Sequence, residues 1–516
     1  MEKVEMEFKR IQTYLFASPR LRAMLGANSA LGQTIRTHLP EIARECGAKA
    51  DPQTLEKMPA ANRDDPLQQA QALLGQTALG DALLIDDPVG LYQGYGVLVR
   101  DGGHFIATFP ESEQARCFID RATAHITQEL PGLLLEARLD GEKLAQPQWG
   151  ESLFQHPAFQ VSHHLGDRPA QDRNAKGAFI SAEEKQQEER GKAFRENPRD
   201  LIALLEKSGL IPCPDEPPQT LEDIASDDYL ALIHADGNGI GKRYQAWRTR
   251  SPDPEHSLNA EAHGEHFYHS MRVAVRRALT KALERVFADV PQRYQLLMLG
   301  GDDLLMACAA SYALPFVRAY AEELERIPLC DAKPLSIGAG VAIARPTFPF
   351  YRLHDTAGAL ADSAKRHVRT DPAAGSVVDW HVTSSAWLGD PIAQRQADSL
   401  AGNTVLSGKP YPVLGERSLD KLLRQAESIS NSSEVARSQL REMVEIMRRS
   451  PNLAELGWRE LPDSMRNHLR VVLEQFGQTG LYRPLGDDLQ ISVLPDLVEL
   501  YEINRRPRPE TTVQAA

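Results

Sequence analysis

Cysteine is scarce: five stand in 516 residues, at Cys46, Cys117, Cys213, Cys308 and Cys330. No two have C-x-x-C spacing, and an odd, scattered set excludes a disulfide framework. A basic surplus is also missing. Lys plus Arg number 58 against 71 Asp plus Glu, a net charge of -13, so an unaided grip on duplex nucleic acid is not expected and only a local groove is left open. Long apolar runs are absent too. The longest nearly apolar stretch, Leu304 to Val317, is too short to cross a membrane and contains Pro315. The start, MEKVEMEFKRIQTYLF, is charged and has no apolar h-region, so neither a signal peptide nor a membrane partner is expected and the expected location is the cytoplasm. No Ser-His-Asp or Cys-His nucleophile arrangement stands out. What is present is ordinary for a globular chain, 42% apolar and 25% charged, which rules out wholesale disorder and leaves room for about three domains.

Two segments follow the same order of elements. In the first, a strand at Val4 to Phe8 precedes mixed helix and loop. A hairpin then runs from Tyr95 to Arg100, turns at Asp101-Gly102-Gly103 and returns over His104 to Phe109. Helical periodicity over 111–130 leads to a strand at Leu133 to Leu139. In the second, the apolar strand Tyr229 to Ala235 runs into the glycine-rich DGNGIGKRY. A polar loop, SPDPEHSLNAEAHG, leads to a helix from about His266 to Phe287. A hairpin, Tyr294 to Leu299 and Leu304 to Ala309, turns through Gly300-Gly301-Asp302-Asp303. A helix over 313–326, a strand at Leu335 to Ile343, a helix over 354–368 and a strand at Val377 to Val382 complete it. Gly102-Gly103 aligns with Gly300-Gly301, and His104-Phe105 with Asp302-Asp303. The expected fold is α+β: two ferredoxin-like palm units, each a sheet with helices on one face, the first degenerate. Between them lies a polar insertion with helical pieces and a proline-rich linker, GLIPCPDEPPQT. The division expected is 1–150, 151–220, 221–385 and a C-terminal helical domain, 386–516, whose tail from Arg505 reads as disordered.

The chemistry concentrates on carboxylates. Asp236 ends an apolar strand, and Asp302 and Asp303 sit at a hairpin tip. In a palm sheet these two places are neighbours, so the three converge. Carboxylates on rigid strand ends suit Mg²⁺, which takes oxygen ligands and keeps positions for phosphate. A pair of such ions aligns an attacking hydroxyl with leaving pyrophosphate. Gly237, Asn238, Gly239 and Gly241 allow backbone amides close to a triphosphate. Gly300 and Gly301 form the turn, and Lys242 or Lys365 could hold phosphate charge. Arg272, Arg276, Arg277, Lys281 and Arg285, four apart in part, are read as a solvated helix face.

The set HADGNGIGKRY, LGGDD, SIGAGVAIARPTFPFYRLHDTAGALADSAK and VVDWH resembles the second palm of the large polymerase/cyclase subunit of type III CRISPR effector complexes. The segment FKRIQTYLFASPRLRAMLGANSA and the GGHF hairpin resemble its degenerate first palm. The resemblance implies conversion of ATP to cyclic oligoadenylate with Mg²⁺ or Mn²⁺. It implies Asp236, Asp302 and Asp303 as metal ligands, Gly300 and Gly301 as the turn, and Lys365 toward triphosphate. Two family features are missing. His354-Asp355 is the sole HD dipeptide and lies inside the second palm, so a histidine-aspartate nuclease is not expected. The stretch FQVSHHLGDRPAQ carries no cysteine, so His163-His164 are read as solvated rather than as zinc ligands. The function expected is a nucleotidyltransferase making a cyclic or short linear oligoadenylate messenger for antiviral defence. The alternative is a silent or activator-dependent scaffold subunit. ATP is the expected partner, with guide-RNA effector subunits, target RNA, a downstream effector that responds to the product, or further copies of the chain as others.

Overall fold

A computed structural model describes residues 1–58, 88–100, 103–144, 160–162, 169–174, 177–193, 201–207, 209–225, 229–250, 257–383, 390–486 and 488–504. The expected turn residues Asp101 and Gly102, the pair His163-His164 and the tail from Arg505 lie outside them.

The first sheet contains β1 (Glu2–Lys9), β2 (Val97–Val99), β3 (His104–Phe109), β4 (Leu134–Leu139) and β5 (Glu142–Lys143), in the order β2-β3-β1-β4-β5. β1 is antiparallel to both neighbours, with Met6 opposite Phe105 and Ala137. Its alternation EKVEMEFK puts Val4, Met6 and Phe8 into the core and Lys3, Glu5, Glu7 and Lys9 on the other side. The hairpin differs from expectation at its first strand. Tyr95 ends the helix Pro88–Tyr95, and the strand is only Val97–Val99. The helix Ser112–Glu129 covers the core side through Ala115, Phe118, Ile119, Ala122 and Ile126. In the insertion, β6 (Asp172–Arg173) and β7 (Phe179–Ile180) form a small ribbon ahead of the helix Ala182–Ala193. That helix lies on Leu21–Gln33 so closely that a Cβ on Gly26 would fall 1.9 Å from the Gln187 carbonyl oxygen.

The second sheet is built from β8 (Leu230–Gly237), β9 (Tyr294–Gly300), β10 (Asp303–Ala309), β11 (Ile337–Ala344) and β12 (Val377–Val382). Its order is β15-β12-β11-β8-β10-β9, where β15 is Tyr411–Pro412. Counting strands within each unit, both sheets share the order second-third-first-fourth, the ferredoxin-like arrangement expected from the repeat. Helices on one face were expected here, yet every residue of β11 is buried. Such a strand must be covered on both faces. Ala310–Glu325 and Phe350–Thr370 both pack on it, and Ser257–Phe287 packs on Ala310–Glu325.

The Ser257–Phe287 helix also begins earlier than expected, inside the polar loop. Its first turns bury Leu258 and Ala262 against Met58, Tyr92, Leu98 and Ile106 of the first unit. Tertiary burial overrides the local polarity. Its basic stripe is a solvated face only in its later part. Arg272 and Arg276 are buried, Arg272 in an ion pair with Glu265. Toward the solvent end, Lys281 pairs with Glu284 and Arg285 with Glu322.

The C-terminal part is mainly helical, with Leu419–Asn431, Arg437–Arg449, Pro451–Glu460, Asp463–Glu474 and Leu494–Ile503. It also holds a four-stranded sheet of two- and three-residue strands, β13 (Leu400–Ala401), β14 (Thr404–Val405), β16 (Arg483–Leu485) and β17 (Leu489–Ile491), ordered β13-β14-β17-β16. Strands this short carry no period to read. Among the described residues no helix is long and apolar enough to cross a membrane.

Candidate active site

β8 brings His234 and Asp236, two residues apart, to one face of the second sheet. On β11, Gly338 pairs with Asp236 and Gly340 with His234. A Cβ on Gly340 would fall 2.0 Å from the Ala357 carbonyl oxygen, and one on Gly338 would fall 2.6 Å from Lys365 Cγ. The two glycines therefore let Phe350–Thr370 lie directly on the strand. That close approach, together with the buried face Ala357, Leu360, Ala361 and Ala364, sets Lys365 over the strand end. Its Nζ is ion-paired with Asp236 Oδ2.

The chain then turns through Gly237, Asn238 and Gly239 into the helix Ile240–Arg248. A Cβ on Gly237 would meet Asp302 Oδ2 at 2.7 Å, so glycine here makes the space that the carboxylate occupies. Gly239 caps the helix in the left-handed conformation, φ 68°. Asn238 holds the turn in place. Its amide donates to the Ser336 carbonyl at 2.8 Å, and its Nδ2 donates to Ser336 Oγ at 3.1 Å. Gly241 and Lys242 are exposed on the first helical turn. Arg243 beside them is anchored to both Asp331 oxygens, at 2.9 and 2.7 Å. Across the site Gly301 turns at φ 61°, and space beside Gly300 is open.

The two hairpin carboxylates have different surroundings. Asp302 is half-buried against Asp236. Burial, the Asp236 charge, its hydrogen bond with Asp236 and the Asp303 charge together raise its carboxyl from 3.8 to about 7. The same site presses on its neighbours: burial and then the Asp302 charge push the Tyr268 hydroxyl up to about 12. Asp303 is engaged elsewhere. His234 Nε2 lies 2.9 Å from its Oδ1, and Gln12 Nε2 donates to its Oδ2 at 2.9 Å. Burial alone would keep His234 neutral; the Asp303 hydrogen bond and charge, with that of Asp236, outweigh it and raise the imidazole. His354 stacks between Phe16 and His234, with centroids 5.0 and 6.2 Å away. Burial and His234 keep it low.

Asp236, Asp302 and Lys365 thus meet at the strand ends, with Gly237 against them, while Asp303 faces Gln12 and His234. Two of these residues escaped the sequence reading. His234 left a signal, a polar residue inside an otherwise apolar strand. Gln12 left none, because its partner is 291 residues away. In the first sheet His104 stands at the equivalent hairpin with Glu5 as neighbour, 3.7 Å from Nδ1 to Oε1, and no acidic residue takes the place of Asp302.

Among the described residues no group of three or more His, Cys, Asp or Glu is gathered to hold a metal ion. The donor set still fits a hard divalent cation. Two facing oxygen donors, one forced toward neutrality by the other, are relieved by a cation that takes its other ligands from water or phosphate.

The strand-turn-helix, the glycine hairpin with paired carboxylates and the lysine helix have the arrangement of a palm domain. Residues 229–373 match the family described as Cas10/Cmr2, second palm domain. That segment is therefore similar to the second palm domain of that large-subunit family, the one its motifs pointed to. Among solved structures it is similar to a Csm1-Csm4 cassette in complex with cA4, at 13% identity and TM-score 0.43, covering 98% of this chain and 70% of that one. The same cassette in complex with cA3 gives 11% and 0.47, with the same coverage. Csm1 in T. onnurineus gives 13% and 0.42, again covering 98% and 70%. No curated protein matches.

Proposed function

We propose that the second unit is a nucleotidyltransferase that joins ATP into a cyclic or short linear oligoadenylate. The observation that carries this reading is the Asp236–Asp302 pair. Two carboxylates share one half-buried corner at the strand ends, with one of them raised to about 7. Such a corner is costly to a fold and is characteristic of sites that act on charge. Asp236 and Asp302 are the residues that would hold Mg²⁺ or Mn²⁺, with Asp303 positioned by Gln12 and His234. When bound, the ions neutralise phosphate charge and lower the pKa of an attacking hydroxyl. The chain's own part is positioning. The first amides of the Ile240–Arg248 helix have no carbonyl partner within the helix and would be the donors to phosphate oxygens there. Lys365, ion-paired with Asp236, would supply a compact positive charge to the triphosphate. The product would be read by a separate effector, and guide-RNA subunits or target RNA are the partners that the sequence resemblance implies.

Purified chain with ATP and Mg²⁺ is expected to release pyrophosphate and form oligoadenylate, and the combined Asp302→Ala and Asp303→Ala variant to form none. Equal turnover in that variant would sink the assignment. One observation favours the scaffold reading: Asp303, the second hairpin carboxylate, is already taken up by Gln12 and His234. On that reading the wild-type chain binds ATP and releases no pyrophosphate, with or without target RNA.

A further inference from the structure

Cys46 and Cys117 are 71 residues apart in sequence, yet their sulfurs lie 3.1 Å from each other. Both are free thiols. Cys46 caps the helix Leu39–Glu45 and is buried; Cys117 stands on the helix Ser112–Glu129 and is exposed. Neither sulfur is carried by a loose segment. Immediately after Cys46, Gly47 turns at φ 88° and the backbone locks onto β3. The Lys49 amide donates to the Thr108 carbonyl at 3.0 Å, and Thr108 Oγ1 donates to the Lys49 carbonyl at 2.6 Å. One turn on from Cys117, Arg121 lies 3.8 Å from Cys46 Sγ and is ion-paired with Glu45. The approach is therefore imposed by two helices and a strand. A disulfide needs its sulfurs about 2.05 Å apart, a closure within reach of the two side-chain torsions.

We propose that Cys46 and Cys117 form a reversible redox pair, closed by a small-molecule disulfide such as oxidised glutathione. The exposed Cys117, as thiolate, attacks one sulfur of the oxidant and releases one glutathione thiolate, leaving a mixed disulfide on Cys117. Cys46 sulfur then attacks the Cys117 sulfur, the second glutathione leaves, and the Cys46 proton passes to solvent. Two protein thiols are oxidised and one glutathione disulfide is reduced to two thiols. The order follows from access: Cys46 is buried, and burial pushes its thiol up to about 11, so it does not meet the oxidant first, while its sulfur 3.1 Å from that of Cys117 places it to resolve the mixed disulfide formed there. The bond matters beyond its own loop. The strap after Cys46 leads to the helix Pro52–Lys57 and Met58, which shares a buried cluster with Leu258 and Ala262 of the Ser257–Phe287 helix. On that helix Met271 stands against the Gly301 turn. Closing the pair fixes, within the first unit, the start of the strap that carries Met58 to that helix.

The test uses the full chain, native, incubated with oxidised glutathione, then alkylated, digested and weighed. The result expected is a cross-linked peptide pair containing Cys46 and Cys117, two hydrogens lighter than the sum of its parts and reversed by dithiothreitol. Cys213, exposed and far in sequence, serves as the internal control and should stop at the glutathione adduct. Cys46→Ser should leave Cys117 at that adduct as well. If wild-type Cys117 instead accumulates as the adduct while Cys46 remains alkylatable, the proposal is overturned. It is equally overturned if the cross-link forms only after thermal unfolding.

Discussion

Asp302 keeps a proton in the folded chain that it gives up in the unfolded one, because its carboxyl is raised from 3.8 to about 7. A folded pKa above the unfolded value means that stability falls as pH rises between about 4 and 7 and is level above that. With divalent cations chelated, Asp302→Asn should therefore be more stable than wild type at pH 8, by on the order of 1–3 kcal/mol, the gap closing toward pH 4. Urea unfolding at the two pH values reads this directly; identical pH slopes in the two proteins would refute it. Lys365 is the second residue with a defined outcome. Its ion pair with Asp236 is mostly screened from water, and its charge is the one aimed at the triphosphate. Lys365→Ala should raise KM for ATP and lower kcat, a combined loss of about 2–3 kcal/mol, the size of a charge-assisted hydrogen bond. An unchanged kcat/KM, with an ATP analogue bound as tightly as before, would make Lys365 structural and turn attention to Lys242.

At the scale of elements, the site depends on how closely a helix can approach a strand. Gly340→Ala places a methyl 2.0 Å from the Ala357 carbonyl oxygen, a clash between two backbones that no rotamer relieves. The loss expected is about 3 kcal/mol or more, at the upper end of overpacking, and a denaturant midpoint unchanged from wild type would show that the helix shifts freely. This level also separates what could be read from the sequence from what could not. The two glycine turns and their carboxylates were legible, since glycine beside acid at a strand end is a local signal. The early start of the Ser257–Phe287 helix was not, since SLNAEAHG is locally polar and only the first unit's Met58, Tyr92 and Ile106 make a helix of it. Gln12 was invisible for the same reason: the partner that gives it meaning, Asp303, belongs to the other unit. Gln12→Ala should lower kcat about tenfold, the worth of one hydrogen bond to a charged group, while the melting temperature stays within a few degrees. Full activity in that variant would show that His234 alone suffices to hold Asp303.

For the molecule as a whole, the two units are alike in strand order and unlike in chemistry. His104 faces Glu5 across a half-exposed gap of 3.7 Å, where solvent screens the pair. His104→Ala should leave turnover at saturating ATP within a few-fold; a collapse comparable to that of the Asp302 variant would place His104 in the reaction.

The edge of the second sheet sets where the chain can be divided. Val377 and Val378 of β12 are paired by Pro412 and Tyr411. Trp380, fully buried on the same strand, donates to Glu499 at 2.9 Å under the Lys409 ammonium, 4.3 Å from its ring. Asp379 is held by both terminal nitrogens of Arg395. Each of these partners lies past residue 385, where a second unit ends by sequence. A fragment stopped there would present an open strand edge, a bare indole and a buried carboxylate without its cation, an uncompensated charge that costs about 3–5 kcal/mol. Such an edge recruits other strands. Fragments ending at 385 should collect in inclusion bodies, while those carried through Asn504 should stay in solution, a difference that the soluble fraction after expression makes plain.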